Sequence, residues 1–128
     1  SQGESEFFTL AGIDLEAMHL SHGMSGILNL GFIIRFGDVK IFHIGDMDPA
    51  EVTVSDLKAF GLPEKQIDIA FIHDYLLTED EFHAHILDGI QARHLVAMHF
   101  GGQPPIELKD IFPNLTILKD PYQSWVMP

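Results

Sequence analysis

Two short apolar runs, at 67–72 and 95–98, flank a segment with helical periodicity, and this order constrains the fold more than any other feature. Nearly continuous apolar runs bounded by charged residues are typical of buried strands. The segment between them has apolar residues on one helical face and a capping-box pattern of Thr78 with Glu81, which predicts a helix near 79–91. A strand, a helix and a strand in this order predict parallel pairing through a crossover helix.

The flanking segments extend this α/β pattern. Two β-rich runs, at 31–36 and 39–44, surround Gly37 and Asp38 and predict a hairpin. The other predicted elements are a short strand or edge segment at 7–15 interrupted by Gly12, a short helix capped by Thr53 or Ser55 and running through Phe60, a loop at Pro104 and Pro105, a short helix near 107–112, and a last strand near 115–118.

Length and composition limit the classes of protein to consider. With 128 residues the chain is one domain at most, and 46% hydrophobic against 20% charged residues favours a globular fold over a disordered tail. Nineteen acidic against seven basic residues give a net charge of −12, which disfavours a long nucleic acid as partner. The absence of cysteine excludes disulfides, thiol nucleophiles and thiolate zinc sites.

The sequence also bears on membranes and compartment. No apolar run approaches the roughly 18 residues that span a bilayer, so no membrane partner is expected. The first residues have neither a basic nor an apolar signal region. We therefore expect a soluble protein, cytoplasmic or exported after processing, and the compartment itself stays undetermined.

Two predicted strands end with a side chain that can bind metal. Asp46 follows the second hairpin strand, His99 follows the strand at 95–98, and glycines lie beside both. His22 is a third candidate, upstream and again next to glycine. Ligands and catalytic groups of α/β sheets collect where strands end. Imidazole and carboxylate donors without thiolate suit zinc, manganese or iron.

The same residues resemble a known family. The segment 31–46 resembles the hairpin of metallo-β-lactamase-fold hydrolases, in which such a pair of strands ends in Gly-Asp. The segment 96–100 is similar to the one that carries the last metal-binding histidine in the lactonase-like branch of that family. His22, followed by small residues and then the hairpin, resembles the histidine that precedes the Gly-Asp. The resemblance covers 18–100.

This resemblance implies a function and a set of roles. His22 would ligate one ion, Asp46 would bridge two ions as the catalytic residue, and His99 would ligate the second ion. The implied cofactor is a divalent metal, zinc first and manganese or iron as alternatives. The implied reaction is hydrolysis of a phosphodiester, lactone or related ester bond of a small molecule by a metal-bound hydroxide.

The sequence departs from the family at one important motif. The family carries an HxHxDH motif in its first half, and the nearest string here is His83, His85 and Asp88 inside a predicted helix. Helical positions i and i+2 lie about 200° apart and cannot grip one ion, so we interpret this string as a solvated helix face.

The missing motif implies that 1–128 is a single partial domain, the C-terminal half of an αββα sandwich. Its N-terminal half would be removed, supplied by another chain, or never present. A half sandwich has a mixed sheet with crossover helices on one face and leaves the other face uncovered, which predicts self-association or a missing partner. Such a chain would bind metal weakly and be inactive alone.

Each candidate also has a structural interpretation. Asp46 also suits a turn that binds no metal. His99 can be a histidine at the end of a strand that is hydrogen-bonded to a backbone carbonyl. For His22 the ligand and the structural interpretations are equally supported. Four neighbours could line the pocket or hold a ligand in place, or could serve structure alone: His43, Asp48 as a loop cap, and His73 with Asp74 after the strand at 67–72.

Two further functions follow from the same observations. The chain could be a non-catalytic α/β binding or regulatory module that keeps the scaffold and some ligands, and the missing HxHxDH motif favours this alternative. It could also be an α/β domain whose histidines coincide by chance. Tight, stoichiometric metal binding would separate the hydrolase from both.

Overall fold

A mixed sheet forms the centre of the fold, and the chain builds it strand by strand in sequence order. The structure, a computed structural model, describes residues 3–100, 105, 107–118, 120 and 122–128. Within these residues the sheet has seven strands: β1 (Ser5–Leu10), β2 (Ile13–His19), β3 (Leu30–Phe36), β4 (Val39–His43), β5 (Ile69–His73), β6 (His94–Met98) and β7 (Leu115–Ile117). β1 to β4 pair antiparallel, and β4 to β7 run parallel.

Short helical segments connect the parallel strands. They are α1 (Val54–Ala59), α2 (Asp74–Thr78), α3 (Leu108–Ile111), 3₁₀ turns at Pro63–Lys65 and Asp80–Phe82, and a π-helical segment at His85–Ile90. Because crossovers are right-handed and β5, β6 and β7 are added in one direction, these connections lie on one face of the sheet. In the described part of the chain, no helix is long and apolar enough to cross a membrane.

The core lies between that face and the helices. Phe42, Ile72 and Leu95 from the strands pack in one cluster with Leu57 of α1 and Ile90 of the π-helical segment, and all five are buried. The predicted α/β class, the mixed sheet and the crossover helices on one face are therefore confirmed.

Local signals that use short-range chemistry placed most elements correctly. The hairpin of β3 and β4 turns at Gly37 with φ of +61°, as predicted. Of the two predicted caps for α1, Thr53 is the one used: its hydroxyl accepts from the Asp56 N–H at 3.2 Å, and the Asp56 carboxylate accepts from the Thr53 N–H at 2.8 Å. The short helix at 108–111 and the strand at 115–117 are also present. Pro104 of the predicted loop lies outside the described residues.

The prediction of one interrupted strand at 7–15 is wrong. β1 and β2 form a second hairpin, and β2 continues to His19. Ala11 and Gly12, with φ of +51° and +81°, form its two-residue turn. Positive φ at both central positions is what such turns require, so Gly12 marks a reversal of the chain rather than a break in a strand.

The prediction of one continuous helix near 79–91 is also wrong. The Thr78 hydroxyl donates to the Asp74 carbonyl at 3.1 Å, so Thr78 closes α2 and does not cap a following helix. Glu79 is extended, with φ of −98° and ψ of 112°, and separates α2 from the next turn. The apolar spacing that predicted a helix is met instead by a 3₁₀ turn and a π-helical segment that ends at Gln91.

The two faces of the sheet differ in their cover. Ile33 and Phe42 point to the helices and are buried, whereas their neighbours Ile34 and Ile41 point to the opposite face and stay partly exposed. Phe36 on the same opposite face is 65% exposed. We call this surface the open sheet face. It comprises Phe8, Leu15, Phe32, Ile34, Phe36, Ile41 and Phe71.

We predict that the open sheet face makes the chain associate with itself. Sedimentation of the unchanged chain should show concentration-dependent oligomers, because a continuous apolar surface is removed from water on association. Ile34→Lys should shift the chain toward monomer.

The matched control is Leu87→Lys, because Leu87 is 51% exposed on the π-helical segment, away from the open sheet face. It should leave association unchanged. The prediction would be contradicted if the wild-type chain were monomeric at all concentrations, or if the two lysine substitutions had equal effects on association.

Candidate functional site

The candidate site lies where three neighbouring parallel strands end. β4 ends at His43, β5 ends at His73, and His99 follows β6 directly after Met98. The carboxyl ends of parallel strands lie at one edge of a sheet, and this is where α/β proteins place ligands. Asp46 reaches the same edge from the turn after β4.

Asp46 is the centre of the site because two histidines contact its two carboxylate oxygens. His22 Nε2 lies 2.8 Å from Asp46 Oδ2, and His73 Nε2 lies 3.5 Å from Asp46 Oδ1. The His73 ring in turn stacks on His99, with ring centroids 4.6 Å apart. The structure thus places two of the predicted ligands, His22 and Asp46, in direct contact and links the third, His99, to Asp46 only through the ring of His73.

The turn that carries Asp46 is held by a buried amide. Asn29 Oδ1 accepts from the Asp46 N–H at 2.7 Å, and Asn29 Nδ2 donates to the Leu20 carbonyl at 2.9 Å. Gly45 has φ of +69°, and a Cβ there would lie 2.5 Å from Asn29 Oδ1. Glycine is required at this position by both its backbone conformation and the close approach of Asn29.

A cleft opens beside the carboxylate. It has a volume of about 320 Å³ and is lined by His22, Asp46, Met47, Asp48, Pro49, Tyr75 and Phe82. The Tyr75 hydroxyl donates to the Met47 carbonyl, and the Tyr75 ring stacks on His73 with centroids 4.9 Å apart. The cleft therefore offers an apolar wall next to the one exposed carboxylate of the cluster, which suits a small organic substrate.

Electrostatics keep two of the histidines neutral. Burial and the nearby imidazole of His99 lower the pKa of His73, although the Gly45 backbone and the carboxylates of Asp46 and Asp74 oppose the shift. Burial, with His73 and His99 nearby, also lowers the pKa of His43. Neutral imidazole is the metal-binding form, so protons compete less for these rings at neutral pH.

The tyrosine of the cleft is held neutral as well. Burial raises the pKa of Tyr75 well above its usual range, and the carboxylates of Asp46, Asp48 and Asp74 raise it further. Its hydroxyl is therefore a hydrogen-bond donor at neutral pH and not a base.

The remaining predicted residues have local contacts. Asp48 caps the turn after the site, since its Oδ1 accepts from the Ala50 N–H at 2.9 Å. Asp74 Oδ1 accepts from the N–H of Tyr75 at the start of α2. His43 Nδ1 accepts from the Gly45 N–H at 3.0 Å, so His43 helps to hold the turn before Asp46.

The prediction that His83 and His85 lie on a solvated helix face is wrong. His85 is buried, and its Nε2 lies 2.8 Å from the Val52 carbonyl. His83 Nε2 lies 2.8 Å from the Leu77 carbonyl. Each imidazole faces a different backbone carbonyl because the segment is not a regular helix, and the pair forms no joint site.

The donor set fits a divalent metal in chemistry but is incomplete in number. Within the described residues, no group of three or more His, Asp or Glu side chains is placed to hold an ion. Donors around a tetrahedral ion with bonds of about 2.0–2.1 Å are about 3.3 Å apart. The 2.8 Å between His22 and Asp46 is a direct hydrogen bond, whereas the 3.5 Å between His73 and Asp46 is close to that spacing.

Sequence reasoning missed Asn29 and undervalued His73. Asn29 stands in a loop without any motif, and only the close approach of Gly45 shows its role. The sequence named His73 as a possible pocket residue because it ends an apolar run, and the parallel pairing of that run with the strand before Asp46 brings it against Asp46.

Comparisons with known proteins support the fold and go no further. No protein-family model matches the sequence, and no curated protein matches it either. A solved structure of a mutant CmlA beta-hydroxylase is similar, with a TM-score of 0.62 and 14% identity over 89% of this chain. The chain spans 31% of the length of that protein. The likeness supports a metallo-β-lactamase-type fold.

We predict that Asn29→Ala loosens the Asp46 turn. The free energy of unfolding should fall by about 2 kcal/mol, because the Asp46 N–H and the buried Leu20 carbonyl both lose their partner. Urea unfolding measures the loss, and amide NMR should show shifted signals at Gly45 and Asp46.

Asn114→Ala is the matched control, since the Asn114 side chain also links two backbone groups: its Nδ2 donates to the carbonyls of Ala92 and Arg93, away from the site. It should lower stability without moving the Asp46 signal. If the Asn29→Ala variant had unchanged stability and unchanged Asp46 signals, Asn29 would not hold the Asp46 turn.

We also predict that His73 makes stability depend on pH. The unfolded chain takes up a proton at His73 near its ordinary pKa of 6.5, whereas the folded chain resists it. The contribution of His73 to the free energy of unfolding is therefore fully present above pH 6.5 and is lost as the pH decreases below that value. Unfolding of the unchanged chain at about pH 7.5 and about pH 5.5 should show this loss, and His73→Gln should reduce it. An equal loss in both proteins would exclude His73 as the source.

Proposed function

We propose that this chain carries part of the metal centre of a metal-dependent hydrolase that cleaves phosphodiester, lactone or related ester bonds. One observation carries the proposal: the two oxygens of Asp46 face His22 and His73 at the carboxyl ends of parallel strands. The fold in which this occurs is of the metallo-β-lactamase type. Imidazole and carboxylate donors that converge in this way are suited to zinc, manganese or iron.

Within this proposal His22, Asp46 and His99 hold the metal, and His73 lies close enough to join them. When bound, a divalent ion supplies Lewis-acid activation of water and of the scissile bond. The protein contributes orientation: Asn29 and Gly45 fix the Asp46 backbone, and Tyr75 limits access to the buried His73 ring. The apolar wall of the cleft would bind the organic part of a small ester.

The proposal includes a second segment or chain that completes the site. The described residues supply too few donors for a closed metal site. The open sheet face leaves Ile34, Ile41 and Phe71 without full cover at the same time. A layer packed on that face would solve both problems, because it would bury the apolar side chains and stand next to the strand ends.

Hydroxylation is the other reaction that the comparisons bring up, since the similar solved structure is named a beta-hydroxylase. At 14% identity that name does not decide the reaction of this chain. Zinc in the site would favour hydrolysis, because zinc is redox-inert, whereas metal-dependent hydroxylation requires a metal that changes oxidation state.

The test of the proposal is metal binding by the chain and its variants. We expect zinc to bind with a Kd of about 1 μM or weaker, because a closed set of ligands is lacking. Asp46→Asn and His22→Gln should each weaken binding by about tenfold or more, through the loss of one donor. Calorimetric titration with zinc measures both.

His94→Gln is the control, because the His94 ring contacts Trp125, with ring centroids 5.5 Å apart, and lies outside the cluster. It should bind zinc like the unchanged chain. Absence of zinc binding even at about 1 mM zinc, or equal binding by all four proteins, would remove the metal centre and favour the non-catalytic module instead.

A further inference from the structure

A second cavity lies at the other end of the strands, far from Asp46. It has a volume of about 440 Å³ and is built on the helix-side face of β1, β2, β3 and β4, next to the 3₁₀ turn at Pro63–Lys65. Lys40, the second residue of β4, lines this cavity, and the strand ends at the candidate metal centre with His43. The volume is within the range of about 300–1,000 Å³ that is usual for small-molecule sites.

The cavity collects positive charge in a strongly acidic protein. Arg35, Lys40 and Lys65 line it, and they are three of the seven Lys and Arg residues in a chain with net charge −12. Asp14 and Glu16 are the carboxylates of the lining. The local balance is therefore +1, opposite in sign to the chain as a whole.

The existing contacts leave the positive charge on one side of the cavity. Lys65 Nζ lies 3.0 Å from Glu16, which is almost buried, so this pair is already neutralised. Lys40 Nζ donates to the Lys65 carbonyl at 2.6 Å. Because a carbonyl is a neutral acceptor, this bond does not neutralise the charge of Lys40. Among the described residues, the Arg35 guanidinium makes no hydrogen bond or ion pair. Asp14 lies directly opposite Arg35 on β2, but its carboxylate accepts from the Thr9 hydroxyl at 2.8 Å.

The rest of the lining is apolar. Ile33 forms a buried floor between the charged residues, and Phe7 is 73% exposed at the rim. An exposed phenylalanine beside two cations is suited to a ligand that has both an anionic group and an apolar body. The guanidinium of Arg35 can bind a carboxylate through two parallel hydrogen bonds.

We propose that this cavity is a binding site for a small amphipathic carboxylate, with the anionic group on Arg35 and Lys40 and the apolar body against Ile33 and Phe7. The site is independent of the metal centre, because it shares no residue with it.

The test is an amide NMR titration of the chain with 4-phenylbutyrate and with the neutral 4-phenylbutanamide. Phenylbutyrate should cause saturable chemical-shift changes in β1 to β4 around Arg35 and Lys40. Added salt should weaken the binding of phenylbutyrate. The amide should bind about tenfold more weakly, because it lacks the charge-assisted hydrogen bonds.

Variants separate the site from general charge effects. Arg35→Gln with Lys40→Gln should weaken phenylbutyrate about tenfold. Lys109→Gln changes the charge in the same direction on α3, near the other edge of the sheet, and should have no effect. Equal binding of acid and amide, or shifts confined to the open sheet face, would overturn the proposal even if the double variant does not fold.

Discussion

The parallel pairing of β4, β5 and β6 is the interaction on which the rest of this structure depends. Phe42 lies opposite Ala70, and Ala70 lies opposite Leu95, so one register aligns three core positions. The same register brings the ends of the three strands to one edge. A shift by one residue would turn His73 toward the helices and Ile72 toward the open sheet face, because side chains alternate along a strand.

The register explains why the site and the open sheet face occur together. His43 and Phe71 are paired on the face that no crossover helix covers, and His73 follows at the edge of the same face. The proposed metal centre on this edge would therefore be bounded on one side by the α2 turn with Tyr75 and left open on the other. A layer that buries the apolar face would also be the natural source of further ligands.

The two ends of β4 also differ in the charge of the residues around them. Asp46 lies within contact distance of two imidazoles, and in the proposed site its carboxylate would be the group that attracts a cation. At the opposite end of β4, Arg35, Lys40 and Lys65 surround a cavity of about 440 Å³. The net charge of −12 thus conceals two small regions with opposite preferences.

The sequence by itself determined the α/β class, the hairpin at 31–44, a cap at Thr53 or Ser55 and the candidates Asp46, His22 and His99, because these follow from periodicity, capping and strand ends, which act over a few residues. It misplaced the segment at 79–91, since apolar spacing does not distinguish an α-helix from a broken 3₁₀ and π path. Only the tertiary structure decided that Asn29 holds the Asp46 turn and that His73 lies between Asp46 and His99. The two residues of each contact are between 17 and 27 positions apart in the sequence. The geometry of these contacts is set by strand register and core packing, which no local pattern encodes.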